Sequence, residues 1–288
     1  MYLCAAVQLR STDDIVSNFE RAEGWIRRAA LAGARLVTTP ENTTFLGPAA
    51  SKLRVAEPVD GPLHRRYAAL AAELGIFLVV GSVAERAEVA DRCYNTSLLF
   101  GPEGALWGSY RKLHLFDIDL PDGPRFVESA TILPGDEAVV VDTPLGRIGL
   151  SICYDLRFPE LYRALVARGA EIVTVPSAFT QKTGRDHWHV LLRARAIETQ
   201  CFVIAPAQEG RHDPAGLRDS YGHSLIIDPW GTVLAECGEG EGVALALVDR
   251  ARLADVRRAM PVMDHRRFGS PNLLRSGTSG PPASRDRL

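Results

Sequence analysis

The run Gly33-Ala34-Arg35-Leu36-Val37-Thr38-Thr39-Pro40 returns later in the chain as Gly169-Ala170-Glu171-Ile172-Val173-Thr174-Val175-Pro176. In both, a glycine closes a helical pattern, a short apolar and β-branched run follows, and proline ends it. Helical spacing precedes the first copy over residues 16–32, through Val16, Phe19, Ala22, Ile26, Ala29 and Ala30. It precedes the second over residues 159–168. Two further echoes keep the same order. Ile76-Phe77-Leu78-Val79-Val80 matches Cys201-Phe202-Val203-Ile204-Ala205, behind helical patterns at 63–74 and 186–199. Ser97-Leu98-Leu99-Phe100-Gly101-Pro102-Glu103-Gly104 matches Ser224-Leu225-Ile226-Ile227-Asp228-Pro229-Trp230-Gly231, each a hairpin with a Pro/Gly turn. One echo carries little, because Val and Ile dominate most buried strands. Three in one order point to an internal duplication. Two α/β halves then pack sheet against sheet in helix–sheet–sheet–helix layers. Residues 1–267 are read as one domain. The Gly/Ser/Pro-rich residues 268–288 have little to bury and are read as a flexible tail.

The bulk composition fits this reading. The chain has 288 residues, enough to bury a large core, with 46% hydrophobic and 24% charged residues and a net charge of −2. No basic excess asks for nucleic acid or an anionic membrane surface. No apolar run is long enough to span a bilayer, and the N-terminus lacks the basic region of a signal peptide. The five cysteines are widely spaced, with no C-x-x-C, against a disulfide framework or zinc site. A reducing, cytoplasmic location is expected.

Cys153 lies between the strand pattern 147–152 and a helical pattern starting at Pro159. Such a link lifts a side chain off the sheet edge and offers backbone N–H groups, which favour a thiolate and can hold an oxyanion. The alternative is a buried, inert thiol, the reading given to Cys4, Cys93, Cys201 and Cys237 in or beside apolar strands. Glu41 follows Pro40 at the carboxyl end of its strand, where working groups collect in open α/β sheets. If the halves face each other, it shares a rim with Cys153, and withdrawal from water strengthens a carboxylate as a proton acceptor. An exposed loop glutamate is the ordinary alternative. Lys112, in Tyr110-Arg111-Lys112-Leu113-His114-Leu115-Phe116, either snorkels or aims at developing negative charge. Glu128 is a carboxylate between apolar neighbours. His187 and His189 are two apart on a helix and face different ways, so no metal pair is expected there. A cysteine–histidine pair with His114, His187 or His223 stays open. No glycine-rich nucleotide loop is present.

With these residues in view, the chain resembles the nitrilase, or carbon–nitrogen hydrolase, superfamily from residue 1 to about 267. Pro40-Glu41-Asn42 resembles its glutamate motif, Tyr110-Arg111-Lys112-Leu113-His114-Leu115 its lysine motif, and Cys153-Tyr154-Asp155-Leu156-Arg157-Phe158-Pro159-Glu160 its cysteine motif. Glu128 falls where the family places a supporting glutamate. The resemblance implies a four-layer αββα sandwich, a homodimer, and catalysis without metal or organic cofactor. It also implies Cys153 as nucleophile, Glu41 as general base, and an oxyanion hole from Lys112 and the Tyr154 N–H. Tyr154-Asp155 replaces the Trp-Glu of true nitrilases, the pattern of the amidases. Leu115-Phe116-Asp117-Ile118-Asp119, Ser177-Ala178-Phe179-Thr180 and Arg193-Ala194-Arg195-Ala196-Ile197-Glu198-Thr199-Gln200 resemble those that clear side products of transamination.

Two sister substrates belong to that branch: deaminated glutathione, the 2-oxo analogue of glutathione, and 2-oxoglutaramate. Ala207-Gln208-Glu209-Gly210-Arg211-His212 and Tyr221-Gly222-His223-Ser224 resemble the first group. Arg157 is the candidate for a substrate carboxylate, with an ion pair to Asp155 or Glu160 as its structural alternative. Phe45, Phe179, His187 and Trp188 are candidate pocket walls, with a core role as the alternative for the aromatics. Rival readings are another small amide, a catalytically silent binding protein, and a metal-dependent hydrolase.

Overall fold

Two sheets of matching order carry the chain. In the computed structural model, which describes residues 1–119, 125–213 and 218–267, the first half contains β1 (Tyr2–Gln8), α1 (Ile15–Leu31), β2 (Ala34–Thr38), α2 (Ala49–Arg54), α3 (Pro62–Leu74), β3 (Phe77–Arg86), β4 (Cys93–Phe100) and β5 (Leu106–Arg111). A ribbon of β6 (Asp117–Asp119) and β7 (Arg125–Val127) and the short β8 (Ile132–Leu133) lead out of it. The second half contains β9 (Val140–Thr143), β10 (Gly146–Leu150), α4 (Pro159–Ala167), β11 (Ile172–Thr174), α5 (Gln181–Thr199) and β12 (Phe202–Ala205). A ribbon of β13 (Glu209–Arg211) and β14 (Asp219–Tyr221) precedes β15 (Leu225–Ile227), β16 (Val233–Glu236), β17 (Gly242–Val248) and α6 (Arg250–Ala259).

The sheets run β17-β1-β2-β3-β4-β5, with β8 beside β4, and β9-β10-β11-β12-β15-β16. Each has three parallel strands at its centre, β1-β2-β3 or β10-β11-β12, flanked by antiparallel neighbours. Strand for strand, the order repeats. The three sequence echoes fall on β2/β11, β3/β12 and β4/β15, and α1 and α3 occupy the crossovers that α4 and α5 occupy in the second half.

Period-two side chains explain the layers. Cys4 and Ala6 of β1, Leu36 of β2, and Phe77 and Val79 of β3 enter the core shared with the second sheet. Ala5, Val7, Val37, Leu78 and Val80 face the other way, onto Phe19, Ala22 and Ile26 of α1 and Tyr67 and Leu70 of α3. On the far side, Leu161 and Leu165 of α4 and Trp188 and Leu192 of α5 cover the second sheet. Each large side chain buried this way contributes roughly 1.5–3 kcal/mol. The result is the expected αββα sandwich.

Local signals set the helix ends. The Asp14 carboxylate accepts from the N–H groups of Val16 and Ser17 at 3.1 and 3.2 Å, a cap worth about 1 kcal/mol. Pro62 opens α3, and Gly75 at φ 64° closes it. Helix α5 begins at Gln181, five residues before the expected 186. Gly184, which argues against helix by propensity, is there because Tyr221 packs where a Cβ would stand. Among the described residues, no helix is long and apolar enough to cross a membrane. The tail at 268–288 lies outside the described residues.

Candidate active site

Four chain links, two from each half, meet at one rim. Glu41 lies three residues beyond β2, Lys112 directly follows β5, Cys153 lies three residues beyond β10, and Ala178 follows β11. The first three are 3%, 1% and 7% exposed, which excludes the exposed-glutamate and snorkelling-lysine alternatives. Close approach of the links depends on Gly81. A Cβ there runs into the carbonyl oxygens of Thr39 and Pro40 and the ring of Pro176.

Lys112 is the hub. Its Nζ donates to Glu41 Oε1 at 3.0 Å and to Glu128 Oε2 at 2.8 Å. Burial works against its charge, but Glu128, Glu41 and Cys153 outweigh it and hold the ammonium well above the ordinary lysine value. Glu128 opens a 3-10 turn, Glu128–Ala130, and also accepts from the Phe116 N–H at 2.7 Å. Burial pushes its carboxyl up, yet Lys112 and Lys52 keep it below the usual range. Glu41 Oε2 accepts from the Ala178 N–H at 3.0 Å, so a backbone donor of the second half fixes the carboxylate of the first.

Cys153 opens the 3-10 turn Cys153–Arg157 with φ 48°, a left-handed conformation uncommon outside glycine. Its N–H donates to Pro176 O at 2.9 Å. The thiol is pushed well above its ordinary value by burial and then by the charge of Glu41, against the opposing pull of Lys112 and the Ala178 N–H. This corrects the sequence expectation that the turn favours a thiolate. The resting sulfur keeps its proton and requires a base, and Glu41 stands beside it. The Tyr154 N–H lies in the first turn of the 3-10 segment, where amides have no intrahelical acceptor.

Two structural roles escaped the sequence reading. Asn95 of β4 donates from Nδ2 to Glu41 Oε1 at 2.9 Å and Glu128 Oε1 at 3.3 Å, while its buried Oδ1 has no partner. Asp155, fully buried, accepts from Tyr110 Oη at 2.7 Å, the Ile152 N–H at 2.8 Å and the His114 N–H at 3.0 Å. It thereby ties the lysine link to the cysteine link. Because Asp155 is so occupied, it makes no ion pair with Arg157. Tyr-Asn in a strand and Tyr-Asp after a cysteine carry no local signal of these distant contacts.

The rim opens into a chamber of about 460 Å³. Its wall includes Phe116, Phe126, Tyr154, Phe179, Arg157 and Lys52. Arg157 lies over the Phe179 ring at 5.3 Å and meets His187 Nδ1 at 3.3 Å, with no carboxylate in ion-pair range among the described residues. The other expected wall residues are corrected. Trp188 is fully buried behind Phe179, 4.9 Å between ring centroids, with Nε1 donating to His223 O. Phe45 is buried against Gly47 and does not reach the chamber, and His187 stands outside it behind Arg157.

None of the candidate histidines pairs with Cys153. His114 stacks on Phe158 at 3.7 Å and is bonded to Asp155. His223 and His189 both contact Glu236 Oε1, at 2.7 and 2.8 Å, a cluster of metal-ligating types away from the chamber. The chamber's own inventory is a protonated thiol, a neighbouring carboxylate and a buried ammonium. That set suits nucleophilic attack on a carbonyl carbon with stabilisation of an oxyanion.

Known proteins share this arrangement of chain. Residues 3–258 match the family model described as carbon-nitrogen hydrolase. A human protein named deaminated glutathione amidase is 46% identical over 98% of this chain and 86% of its own length. A Synechocystis protein of the same name is 44% identical over 93% of this chain and 98% of its own. Among solved structures, Saccharomyces cerevisiae Nit3, a member of branch 10 of the nitrilase superfamily, superposes with a TM-score of 0.83. The identity there is 34%, over 93% of this chain and 97% of that one.

Proposed function

The chain belongs to the carbon–nitrogen hydrolase family and is a hydrolase of amide carbon–nitrogen bonds, and from this we propose that it cleaves deaminated glutathione into 2-oxoglutarate and cysteinylglycine through a thioester on Cys153. The observation that carries the chemistry is the Lys112 ammonium bridging Glu41 and Glu128 beside Cys153, with Glu41 Oε2 held by the Ala178 N–H. Glu41 takes the thiol proton as Cys153 Sγ attacks the amide carbonyl. Lys112 and the Tyr154 N–H hold the oxyanion. Glu41 returns the proton to the departing nitrogen, and the C–N bond breaks. A water molecule, deprotonated by Glu41, then attacks the thioester carbonyl and frees the acid and the thiol. Glu128, fixed by the Phe116 N–H, keeps Lys112 aimed. Arg157 receives a substrate carboxylate, with Phe179 as wall.

The five free cysteines support a reducing, cytoplasmic setting. For assembly we place a homodimer contact on the outer face of α5, where Val190 and Ile197, one side of the helix, are exposed with Trp230 beside them. Sedimentation that yields only monomer rejects it.

The test of function is a side-by-side steady-state assay of deaminated glutathione and 2-oxoglutaramate, reading 2-oxoglutarate, with Cys153→Ala as blank. Preference for the first is expected. Preference for 2-oxoglutaramate transfers the chain to the sister activity.

A further inference from the structure

Deaminated glutathione carries two carboxylates, one on each side of the amide that is cut. The 2-oxo acid group lies on the acyl side and the glycine carboxylate on the leaving side. 2-Oxoglutaramate has only the first. The number and placement of unpaired cations in the chamber therefore bear on how much of the substrate is recognised.

Besides Lys112, four cations line the chamber: Lys52, Arg157, Lys182 and Arg218. Arg218 faces the charge of Asp213, and Lys182 is exposed on the first turn of α5. Lys52 and Arg157 are half-buried, and neither has a carboxylate within ion-pair distance among the described residues. Arg157 lies in the same 3-10 turn as Cys153, which holds the acyl group covalently, so it serves the acyl side. Lys52, in the last turn of α2, approaches the chamber from the first half instead. Its Nζ donates to Asn42 Oδ1 at 2.7 Å, and Asn42 adjoins Glu41, the group that hands the proton to the leaving nitrogen. Asn42 is itself fixed, with φ 57° and its N–H on Ser82 Oγ at 2.8 Å. The ammonium is thus oriented in advance.

We infer that Lys52 forms a second carboxylate subsite, on the leaving-group side of the chamber, that holds the carboxylate of a peptide-like amine. The inference rests on the deaminated-glutathione reading and makes Lys52 a specificity-determining residue. Burial holds Lys52 below the ordinary lysine value against the opposing pull of Glu128, Cys93 and Glu41, and an incoming carboxylate adds to that pull. A sheltered ammonium–carboxylate bond discriminates against an analogue lacking the charge by about tenfold or more.

The experiment compares deaminated glutathione with its analogue whose glycine carboxylate is a carboxamide. Wild-type kcat/KM is expected to favour the acid by about tenfold or more. In Lys52→Met that ratio falls to about one, with the change in KM more than in kcat. In Arg157→Met both substrates suffer and the ratio persists. Lys52→Gln, which retains a donor for Asn42, serves as a second variant should the first fail to fold, and it too loses the ratio. Survival of the ratio in the Lys52 variants, or its absence in the wild type, overturns the subsite while leaving the amidase reading intact. No wild-type turnover of deaminated glutathione overturns both.

Discussion

Three residues beyond β1 the chain places Ser11, and three beyond β10 it places Cys153; three beyond β2 stands Glu41, and three beyond β11 stands Ser177. The two halves thus offer four equivalent rim positions, of which the chemistry uses one diagonal. The other diagonal is structural. Ser11 Oγ donates to Thr43 O at 3.0 Å and Ser177 Oγ to Val175 O at 3.1 Å, both buried. The halves also differ in what surrounds the rim. The first surrounds Glu41 with charge, through Lys112, Glu128 and Asn95. The second contributes a strained cysteine and the backbone donors of Ala178 and Tyr154. A duplicated scaffold here yields an asymmetric site because, at these four positions, each half keeps one reactive side chain and turns its counterpart into a fastening.

Removing either partner tests that division, and the nucleophile has the largest effect. Cys153→Ala is expected to lower turnover by about 10⁴-fold or more while the protein still folds, as judged by its melting transition. Lys112→Met comes next. A lost oxyanion donor costs roughly 2–4 kcal/mol of transition-state stabilisation, and Glu41 and Glu128 then face each other without the cation between them. Turnover within a few-fold of wild type removes Lys112 from its role.

Asn95→Leu acts one step further from the chemistry. It deletes a donor to both carboxylates, so kcat is expected to drop by about tenfold, the worth of one hydrogen bond to a charged group. The acid limb of the pH–rate profile shifts to higher pH, because the charged carboxylates lose support. A drop without that shift assigns Asn95 to packing alone.

A separate effect, on stability and not on turnover, concerns the seam between the halves. His212, after β13, contacts Ser11 O and Ser220 Oγ at 2.8 Å each, and burial lowers it from 6.5 to about 4. A depressed value means the unfolded chain takes the proton first. The contribution is therefore complete above pH 6.5 and is lost as pH falls toward about 4. Its size is about 3 kcal/mol. His212→Gln should flatten denaturation midpoints across that window, and an unchanged pH dependence refutes the assignment.

Much of the frame was legible because it is periodic. Gly33 and Gly169, the apolar runs after them and the closing prolines are local signals, and they located β2 and β11. Glu41 and Cys153 were legible as polar groups at strand ends, and Lys112 as a charge in an apolar stretch. Contacts spanning the chain were not. Asn95 reaches Glu41 across 54 positions and Asp155 reaches Tyr110 across 45. Neither leaves a pattern in its own neighbourhood, since a strand asparagine reads only as a weak strand former. Trp188 and Phe45 show the converse difficulty. An aromatic near a site looks the same in sequence whether it faces the substrate or backs the residue that does.

The pairing of β17 with β1, Tyr2 opposite Val248, has a consequence for how the molecule is made. During synthesis β1 through β5 emerge early, but the free edge of β1 stays open until residue 248 has left the ribosome. An open edge is a template for wrong partners. At about 5–20 residues per second, the interval between the end of β5 and the end of β17 lasts about 7–27 seconds. β1 therefore waits for β17, a partner made long after it, before its edge is covered.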